Sequence, residues 1–271
     1  MNISFIGGGN MADALLGGLL ARGAAREALR VVEVEPAQRA RLQGKYPGLG
    51  VFASAREALR AGDVVVLAVK PQQMKQALAG LGLVTDAHLV VSVAAGITLA
   101  SLSRWLGGQR RLVRVMPNTP SLIGAGIAGL LAGPGATEAD MQAAESILGA
   151  VGKCVRVAAE DDIDTVTAVS ASGPAYVFWF IEQLAASGVA LGLPEDASRA
   201  LAIETVLGAA KLAAQSGEPP ATLRERVTSR GGTTAAALAV FAEEKLAERF
   251  QRAVAAAKRR GAEMGEELGR D

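Results

Sequence analysis

A glycine-rich segment near the start of the chain is the first place where residue types and spacing suggest chemistry. After the apolar run Ile3–Ile6 come Gly7, Gly8, Gly9, Asn10, Met11 and Ala12, which fit a G-x-G-x-x-A pattern. Gly7 would permit a tight turn, Gly9 would let a pyrophosphate approach the backbone, and Ala12 would let a helix pack closely on the strand. Glycine suits a tight turn for steric reasons alone. The strand before the pattern and the helix after it nevertheless favour a dinucleotide-binding loop.

Acidic and basic residues after the second predicted strand bear on the choice of dinucleotide. Glu33 and Glu35 stand where a carboxylate usually takes the ribose hydroxyls and repels a 2′-phosphate, which favours NADH. Arg39 and Arg41 favour NADPH, because a guanidinium can grip that phosphate. These residues leave the choice open.

Two further loops follow predicted strands at the same edge of the sheet. They are Val69-Lys70-Pro71 and Val93-Ala94-Ala95-Gly96. Small side chains there would let backbone groups contact the nicotinamide half of a dinucleotide. The alternative is that both are plain strand ends, with Pro71 starting a helix and Lys70 solvated.

Three later segments combine hydroxyl groups, prolines and glycines as a ligand site would. They are Met116–Pro120, Ser170–Tyr176 and Val227–Thr234. In the first, two prolines would hold Asn118 rigidly at the ligand edge. The third would end one helix and start another, and its N–H groups and hydroxyls would hold a substrate carboxylate. Taken singly, each is more simply explained by turns, helix breaks and helix caps.

Side chains for strong general acid or base catalysis are scarce. Hydroxy-acid dehydrogenases commonly use a His or a Lys, because an alcohol must lose a proton as the hydride leaves. The one histidine, His88, precedes a predicted strand and so lies away from the ligand edge, while Lys153 and Lys211 are candidates only by default. A reaction without a strong protein acid suits the sequence better. Reduction of a cyclic imine is one, because its nitrogen can already be protonated.

The hydrophobic pattern predicts the elements that must position these residues. Short β-branched runs alternate with helical patterns up to residue 158, which predicts βαβ units and a parallel sheet. The predicted strands are Ile3–Ile6, Arg30–Val34, Val64–Val69, Leu89–Val93, Leu112–Val115 and Val155–Val157, and the predicted helices include Asn10–Ala21, Gln72–Ala79 and Glu138–Val151. The run from Asp63 to Val69 lacks alternation, which predicts a strand buried on both faces.

From about Asp161 onward, long segments rich in Ala, Leu and Glu predict helices. The sequence therefore predicts an α/β fold: a Rossmann-like dinucleotide-binding domain over residues 1–158 and an all-α dimerisation and substrate domain over residues 159–271. The second part is rich in apolar residues for helices that must keep a solvent face, so we expect at least a dimer.

Composition and charge narrow the classes of partner. The 28 Lys and Arg residues nearly balance the 27 Asp and Glu residues, so neither nucleic acid nor an acidic membrane is expected as partner. A single cysteine, Cys154, and a single histidine predict no disulfide and no metal site. The apolar stretch 176–193 carries Glu182 and Gln183, so we interpret it as a buried helix. The chain opens without a secretory signal, and we expect a cytoplasmic protein.

Together these segments resemble the pyrroline-5-carboxylate reductase family, which makes proline from its cyclic imine precursor. The resemblance covers essentially the whole chain and rests on Phe5–Met11, Ala68–Pro71, Ala94–Gly96, Met116–Pro120, Ser172–Tyr176 and Gly231–Thr234, in the family's order. The last two segments are the specific ones.

The resemblance implies a dinucleotide-binding domain followed by helices that interlock with a second subunit, in a homodimer or a larger ring of dimers. Ser229, Gly232 and Thr233 would bind the carboxylate of 1-pyrroline-5-carboxylate, and Thr234 would hydrogen-bond the imine nitrogen as the catalytic residue. Hydride would pass from nicotinamide C4 to the imine carbon. The residues implied to hold the cofactor are Gly7, Gly8, Gly9, Asn10, Met11, Ala68, Val69, Lys70, Pro71, Ala94, Ala95 and Gly96.

Three positions depart from the family's usual pattern. The family usually has Gly where this chain has Ala171 and Pro where it has Arg230, which implies a reshaped carboxylate loop or an extra positive charge beside it. Glu35, counted among the cofactor-binding residues, stands where relatives that use NADPH tend to have a small hydroxyl residue. The resemblance implies NADPH, with NADH as the alternative.

Two rival functions are consistent with the cofactor loop. A β-hydroxyacid dehydrogenase would need a Lys on the first long helix of the second domain, and residues 161–191 contain none. A non-catalytic dinucleotide-binding regulator is the other rival. The intact segments Ser172–Tyr176 and Gly231–Thr234 speak against it.

Overall fold

The computed structural model describes residues 1–79, 81–82 and 84–270, so Asp271, the last residue of the predicted second domain, lies outside the described residues. The strands are β1 (Ile3–Ile6), β2 (Leu29–Val32), β3 (Gly50–Phe52), β4 (Val64–Leu67), β5 (Leu89–Ser92), β6 (Leu112–Met116), β7 (Gly126–Ala132) and β8 (Gly152–Val157). The helices are α1 (Asn10–Ala21), α2 (Pro36–Lys45), α3 (Ala55–Ala58), α4 (Pro71–Ala79), α5 (Leu99–Trp105), α6 (Glu138–Gly149), α7 (Glu160–Val166), α8 (Gly173–Ala190), α9 (Glu195–Ser216), α10 (Pro220–Arg226), α11 (Thr233–Glu243) and α12 (Leu246–Gly269). A π-helical turn, Thr167–Ala171, follows α7.

The chain divides into two compact units. The first comprises Met1–Ser172 and the described residues from Ala257 onward, and the second comprises Gly173–Ala256. The start of the helical region belongs to the first unit because Ile163 is fully buried in its core. Leu268, near the end of α12, packs against the same core. The division of the sequence into domains at residue 158 stays a prediction.

One mixed sheet organises the first unit. Among the described residues its strands pair in the order β3-β2-β1-β4-β5-β6-β7-β8. The neighbours are parallel, as predicted, except that β6 pairs antiparallel with the unpredicted strand β7. The chain reverses there through a short 3₁₀ segment, Thr119–Ile123, whereas a parallel connection needs a longer crossover.

Helices cover both faces of the sheet, and β4 shows the result. Val64 and Val66 lie in the core cluster that contains Leu15 of α1, and Val65 and Leu67 lie in the cluster on the other face. Each of these valines is at most 6% exposed. The prediction of a strand buried on both faces is confirmed.

The predicted strands form with small shifts at their ends, but β3 and β7 were not predicted. The first of these has only three residues, too few for a pattern. The second is rich in glycine. A Cβ on Gly129 would lie 2.8 Å from both γ-carbons of Val166, so glycine is needed for the close approach of α7.

Candidate cofactor and substrate site

The strand order reverses between β1 and β4, which marks the crevice where sheets of this kind bind dinucleotides. Gly7 lies at this point, with its N–H donating to Val32 O at 2.8 Å. Its φ of +96° is left-handed, and a Cβ there would lie 2.8 Å from both Ala68 O and Val69 Cγ1. Only glycine therefore fits, and the loops after β1 and β4 lie in contact.

The start of α1 fits a pyrophosphate. Gly9 is exposed, and a Cβ built on it would meet no described atom within 4 Å. Because Gly9 is the N-cap residue and has no side chain to cap the helix, the N–H groups of the first turn stay available to an anion. Exposed Asn10 and half-buried Met11 begin that turn.

Glu33, directly after β2, holds the glycine loop. Its carboxylate accepts hydrogen bonds from the N–H of Gly8 and the N–H of Glu35, both at 2.9 Å. Glu35 itself is an exposed residue at the N-cap of α2. The two acids, which the sequence left as equal candidates for the ribose, thus differ: Glu33 faces the loop, and Glu35 faces solvent.

A cavity of about 490 Å³ opens beside the glycine loop. Of the predicted cofactor residues, Gly7, Gly9, Ala68, Val69 and Lys70 line it, and Glu33 joins them. The lining residues that sequence reasoning missed are Ala53, Ser54, Ala55, Gln73, Gln76 and Ala77. The first three follow the unpredicted strand β3. The last three share one face of α4, which helical spacing groups together, but the sequence holds no signal that this face lies beside the glycine loop.

Other predicted cofactor residues lie outside this cavity. Pro71 begins α4, next to exposed Lys70. Ala94, Ala95 and Gly96 follow β5, two strands from β1 along the same edge. Ala94 is buried, and Ala95 and Gly96 are half-buried.

The two arginines proposed for a 2′-phosphate differ in their partners. Arg41 Nη1 and Lys45 Nζ each lie 2.8 Å from the carboxylate of Asp13. Burial raises the pKa of Asp13, but hydrogen bonds from Lys45, Tyr46 and Arg41 outweigh it, so the pKa lies below its ordinary value. Arg41 is therefore already engaged in an ion pair, which it shares with Lys45.

Arg39 has a different environment. Its Nη1 donates to Glu33 O at 2.9 Å and to Val34 O at 2.8 Å. Backbone carbonyls carry no net charge, so the positive charge of Arg39 is not neutralised by these contacts. Arg39 is the better placed of the two arginines to meet a phosphate near the end of β2.

The Met116–Pro120 segment is built around Asn118, which is 9% exposed. Its Oδ1 accepts from Ile127 N at 3.0 Å, and its Nδ2 donates to Ser170 O at 3.2 Å. The side chain thus ties the loop after β6 to β7 and to the π-helical turn. Its amide serves structure, while neighbouring Thr119 is exposed.

The predicted carboxylate loop lies in the second unit, between α10 and α11. Gly231 has a φ of +72°, Gly232 is the N-cap residue of α11, and Gly232 N donates to Ser229 O at 3.0 Å. A Cβ on Gly232 would collide with Ser229 Oγ. The loop therefore presents a hydroxyl beside a helix start, with Thr233 and Thr234 as the first two helical residues.

The residues considered as acids or bases lie elsewhere. His88 is 4% exposed, and its Nε2 lies 3.1 Å from Arg60 O, at the edge of the sheet opposite the glycine loop. Lys153 is exposed on β8, and Lys211 is exposed on α9. The prediction that His88 lies away from the ligand edge is confirmed.

The helices of the second unit carry apolar side chains without burying them. None of the residues of α8 or α11 is fully buried. The exposed fractions are 66% for Phe178, 57% for Trp179 and 53% for Phe250. The expectation that 176–193 is a buried helix is wrong for the single chain. In the described part of the chain, no helix is long and apolar enough to cross a membrane.

The strand order and the glycine loop at the uncapped start of α1 define a dinucleotide-binding protein. Residues 160–264 match the family model for pyrroline-5-carboxylate reductase dimerisation, and residues 2–96 match the model for NADP oxidoreductase, coenzyme F420-dependent. Pyrroline-5-carboxylate reductase from Pseudomonas aeruginosa is 44% identical over 98% of both chains, and that from Arabidopsis thaliana is 39% identical over 97% of this chain and 95% of its own.

Comparison with solved structures points to the same family as the sequence comparisons. A pyrroline-5-carboxylate reductase from Coxiella burnetii superposes with a TM-score of 0.91 at 39% identity, covering 97% of this chain and 98% of its own. A Plasmodium falciparum pyrroline carboxylate reductase with NADP bound has a TM-score of 0.83 at 29% identity over 98% of both chains. The chain belongs to the pyrroline-5-carboxylate reductase family, as its motifs predicted.

Proposed function

We propose that this protein reduces 1-pyrroline-5-carboxylate to L-proline with a hydride from NAD(P)H. One observation carries the proposal: the chain matches reductases of this name over nearly its whole length, so the glycine loop and the Ser229–Thr234 loop both fall within the match. A regulator without activity would need the cofactor loop alone.

The cofactor would be held at the carboxyl end of the sheet. The first turn of α1 would bind the pyrophosphate through its N–H groups. The remaining proposed contacts are Ala68, Val69, Lys70, Pro71, Ala94, Ala95 and Gly96, with Glu35 near the adenosine ribose. When bound, the nicotinamide supplies the hydride that reduces the imine carbon.

The substrate carboxylate would bind at the start of α11. Ser229, Gly232 and Thr233 would bind it, since an uncapped helix N-terminus favours an anion. Exposed Arg230 would add positive charge nearby. The Thr234 hydroxyl would hydrogen-bond the ring nitrogen and orient the imine carbon toward the hydride donor.

This chemistry matches the side chains that the chain provides. A protonated imine needs no strong acid from the protein, because its nitrogen already carries the proton that the secondary amine product keeps. The hydride neutralises the iminium charge. His88, Lys153 and Lys211 would have no part in this step.

We propose NADPH as the cofactor, with NADH as the alternative. The Plasmodium relative with NADP bound and the charge of Arg39 support NADPH. The carboxylates of Glu33 and Glu35 support NADH, because each would repel a 2′-phosphate.

We also propose a homodimer or a larger homo-oligomer built on the second unit. The family model that matches this region is one of dimerisation, and α8 and α11 need a partner surface to bury their apolar side chains. Light scattering on the purified protein would measure the size of the assembly.

The deciding experiment is a spectrophotometric assay of NADPH and NADH oxidation with 1-pyrroline-5-carboxylate. We expect proline to form in amounts equal to the dinucleotide oxidised. Binding of a dinucleotide without turnover would reject the enzyme and favour the regulator.

A further inference from the structure

The end of α12 packs on the loop that follows β5. A Cβ built on Gly96 would lie 3.1 Å from Leu268 Cδ1 and 3.6 Å from Met264 Cβ. A Cβ built on Gly265 would lie 3.5 Å from Gly96 O. Leu268 also packs against the core cluster that contains Ala94. The helix thus contacts the loop at Gly96 and packs on the core cluster to which Ala94 belongs.

Two further contacts fix the helix at this position. Arg104 Nη2 donates to Gly269 O at 2.6 Å. A Cβ on Gly269 would lie 2.8 Å from Ser101 Oγ, so only glycine allows this approach of α12 to α5. Since α5 begins directly after the Gly96 loop, α12 contacts the loop and the helix that continues from it.

The loop needs outside support because of its conformation. Gly96 has a φ of +71°, which glycine adopts freely, so its backbone alone does not confine the loop to this one conformation. Its neighbours Ala94 and Ala95 have no polar side chains with which to fix it. The packed side chains of Met264 and Leu268 supply that constraint.

We propose that Met264, Gly265 and Leu268 are positioning residues, which hold the Ala94–Gly96 loop in the shape that binds the nicotinamide half of the cofactor. This inference rests on the proposed function, which assigns that loop to the nicotinamide. It extends the cofactor site to the last turns of the chain, more than 160 positions from the loop in sequence.

Binding measurements on the full chain test the inference. Leu268→Ala removes contact with the loop, and Gly265→Leu crowds it. Glu263→Leu is the control, because it adds a leucine to an exposed position of the same helix. Dissociation constants are measured by calorimetry for NADPH and for 2′-phospho-ADP-ribose, which lacks nicotinamide, with NADH and ADP-ribose in parallel.

We expect Leu268→Ala and Gly265→Leu to weaken binding of the whole dinucleotide roughly five- to tenfold. Binding of the nicotinamide-free ligand should stay unchanged, and Glu263→Leu should match the wild type. If Gly265→Leu does not fold, the binding data for Leu268→Ala still test the inference, because that substitution only removes atoms. Unchanged dinucleotide binding, or equal weakening of both ligands, would overturn the inference. A wild-type protein that binds NADPH but does not reduce the imine would reject the proposed function alone, since the binding comparison needs no turnover.

Discussion

The two edges of the sheet in the first unit treat polar groups in opposite ways. At the carboxyl edge, Gly7 and Gly9 line an open cavity, and α1 begins after Gly9 without a side-chain cap. At the amino edge, buried Asp63 accepts hydrogen bonds from Ser4 Oγ and Arg30 Nη1 at 2.8 Å and from Arg60 N at 2.9 Å. The carboxyl edge leaves the N–H groups of a helix start free for a ligand, and at the amino edge three internal donors converge on one buried oxygen, Asp63 Oδ2.

This difference predicts where mutations should affect ligand binding and where they should affect folding. His88 and Gln109 continue the closed network, with Gln109 Nε2 donating to Thr85 O at 2.8 Å and to His88 O at 3.1 Å. Buried groups paired in this way contribute to stability, because water cannot replace a lost partner. Free donors at a helix start contribute little to stability and much to anion binding.

The largest expected effect is on folding, at the closed edge. Asp63→Ala leaves Arg30 and Ser4 without their buried partner, which should lower the free energy of unfolding by about 3–5 kcal/mol. Urea denaturation at a fixed protein concentration measures it. Asp196→Ala is the control, since this exposed carboxylate should contribute less than about 0.5 kcal/mol. If the Asp63→Ala variant folds but binds NADPH more weakly, the amino edge contributes to binding as well, and the contrast between the two edges is wrong.

The next largest effect is on binding, at the open edge. Gly7→Ala combines left-handed strain with a collision against Ala68 O, and should weaken dinucleotide binding by about 2–3 kcal/mol, or roughly 30- to 150-fold. Calorimetric titration with NADPH measures it. Gly23→Ala is a matched control, because Gly23 has a φ of +86° but open space around it. Equal NADPH affinities of the two variants would show that the packing at Gly7 has no special role.

A third prediction concerns the second unit, where α11, like α1, begins without a side-chain cap. Thr234→Ala should lower kcat/KM for 1-pyrroline-5-carboxylate by roughly 1–3 kcal/mol, the scale of a hydrogen bond to a charged or buried group. Thr234→Ser should restore most of the loss. Wild-type kinetics in the alanine variant would remove Thr234 from the mechanism.

A smaller effect should separate the two acids after β2. Both Glu33→Gln and Glu35→Ser should shift preference toward NADPH, since unit charges 4 Å apart interact by about 1 kcal/mol in water, or roughly fivefold. The shift should be larger for Glu33, whose carboxylate lines the cavity. The measurement is the ratio of kcat/KM for NADPH and NADH. An unaltered ratio in Glu35→Ser would show that Glu35 does not affect the choice between NADPH and NADH.

The smallest effect concerns acid stability at the closed edge. Burial raises the pKa of Asp140, but hydrogen bonds from Arg111 and from Thr137 outweigh it and bring the pKa below its ordinary value of 3.8. The stabilisation is therefore complete above the ordinary pKa and is lost as the pH falls through the lower, folded value. Asp140→Asn should cost about 0.5–1 kcal/mol at pH 7 and flatten the decline in stability below pH 4. If the stability of the variant declines equally steeply below pH 4, the decline is due to other carboxylates.

Much of the fold was predictable because its signals are local. The run from Val64 to Leu67 lacks a polar face, which only a strand covered on both sides tolerates. The glycine pattern after β1 likewise reports a turn that other residues cannot make. By contrast, β3 is three residues long, and β7 pairs with β6 in a direction that its composition does not show.

The site was predictable in part for the same reason. Motif positions such as Gly7 and Gly9 could be found one loop at a time, and their proposed roles await the experiments above. Gln73 and Gln76 were missed because only folding places the α4 face beside the glycine loop. Sequence also could not separate Glu33 from Glu35, which lie two positions apart after the same strand.

By itself, the sequence determined the strand-turn-helix start, the alternating α/β region, the helical second half and the family. Each depends on residue types within a few positions, on hydrophobic period or on glycine. Tertiary structure alone decided that Glu33 binds the N–H of Gly8, that Asn118 spans two elements, and that the end of α12 covers Gly96. Those contacts join residues far apart in the chain, and their geometry exists only once the sheet has fixed the distance between them.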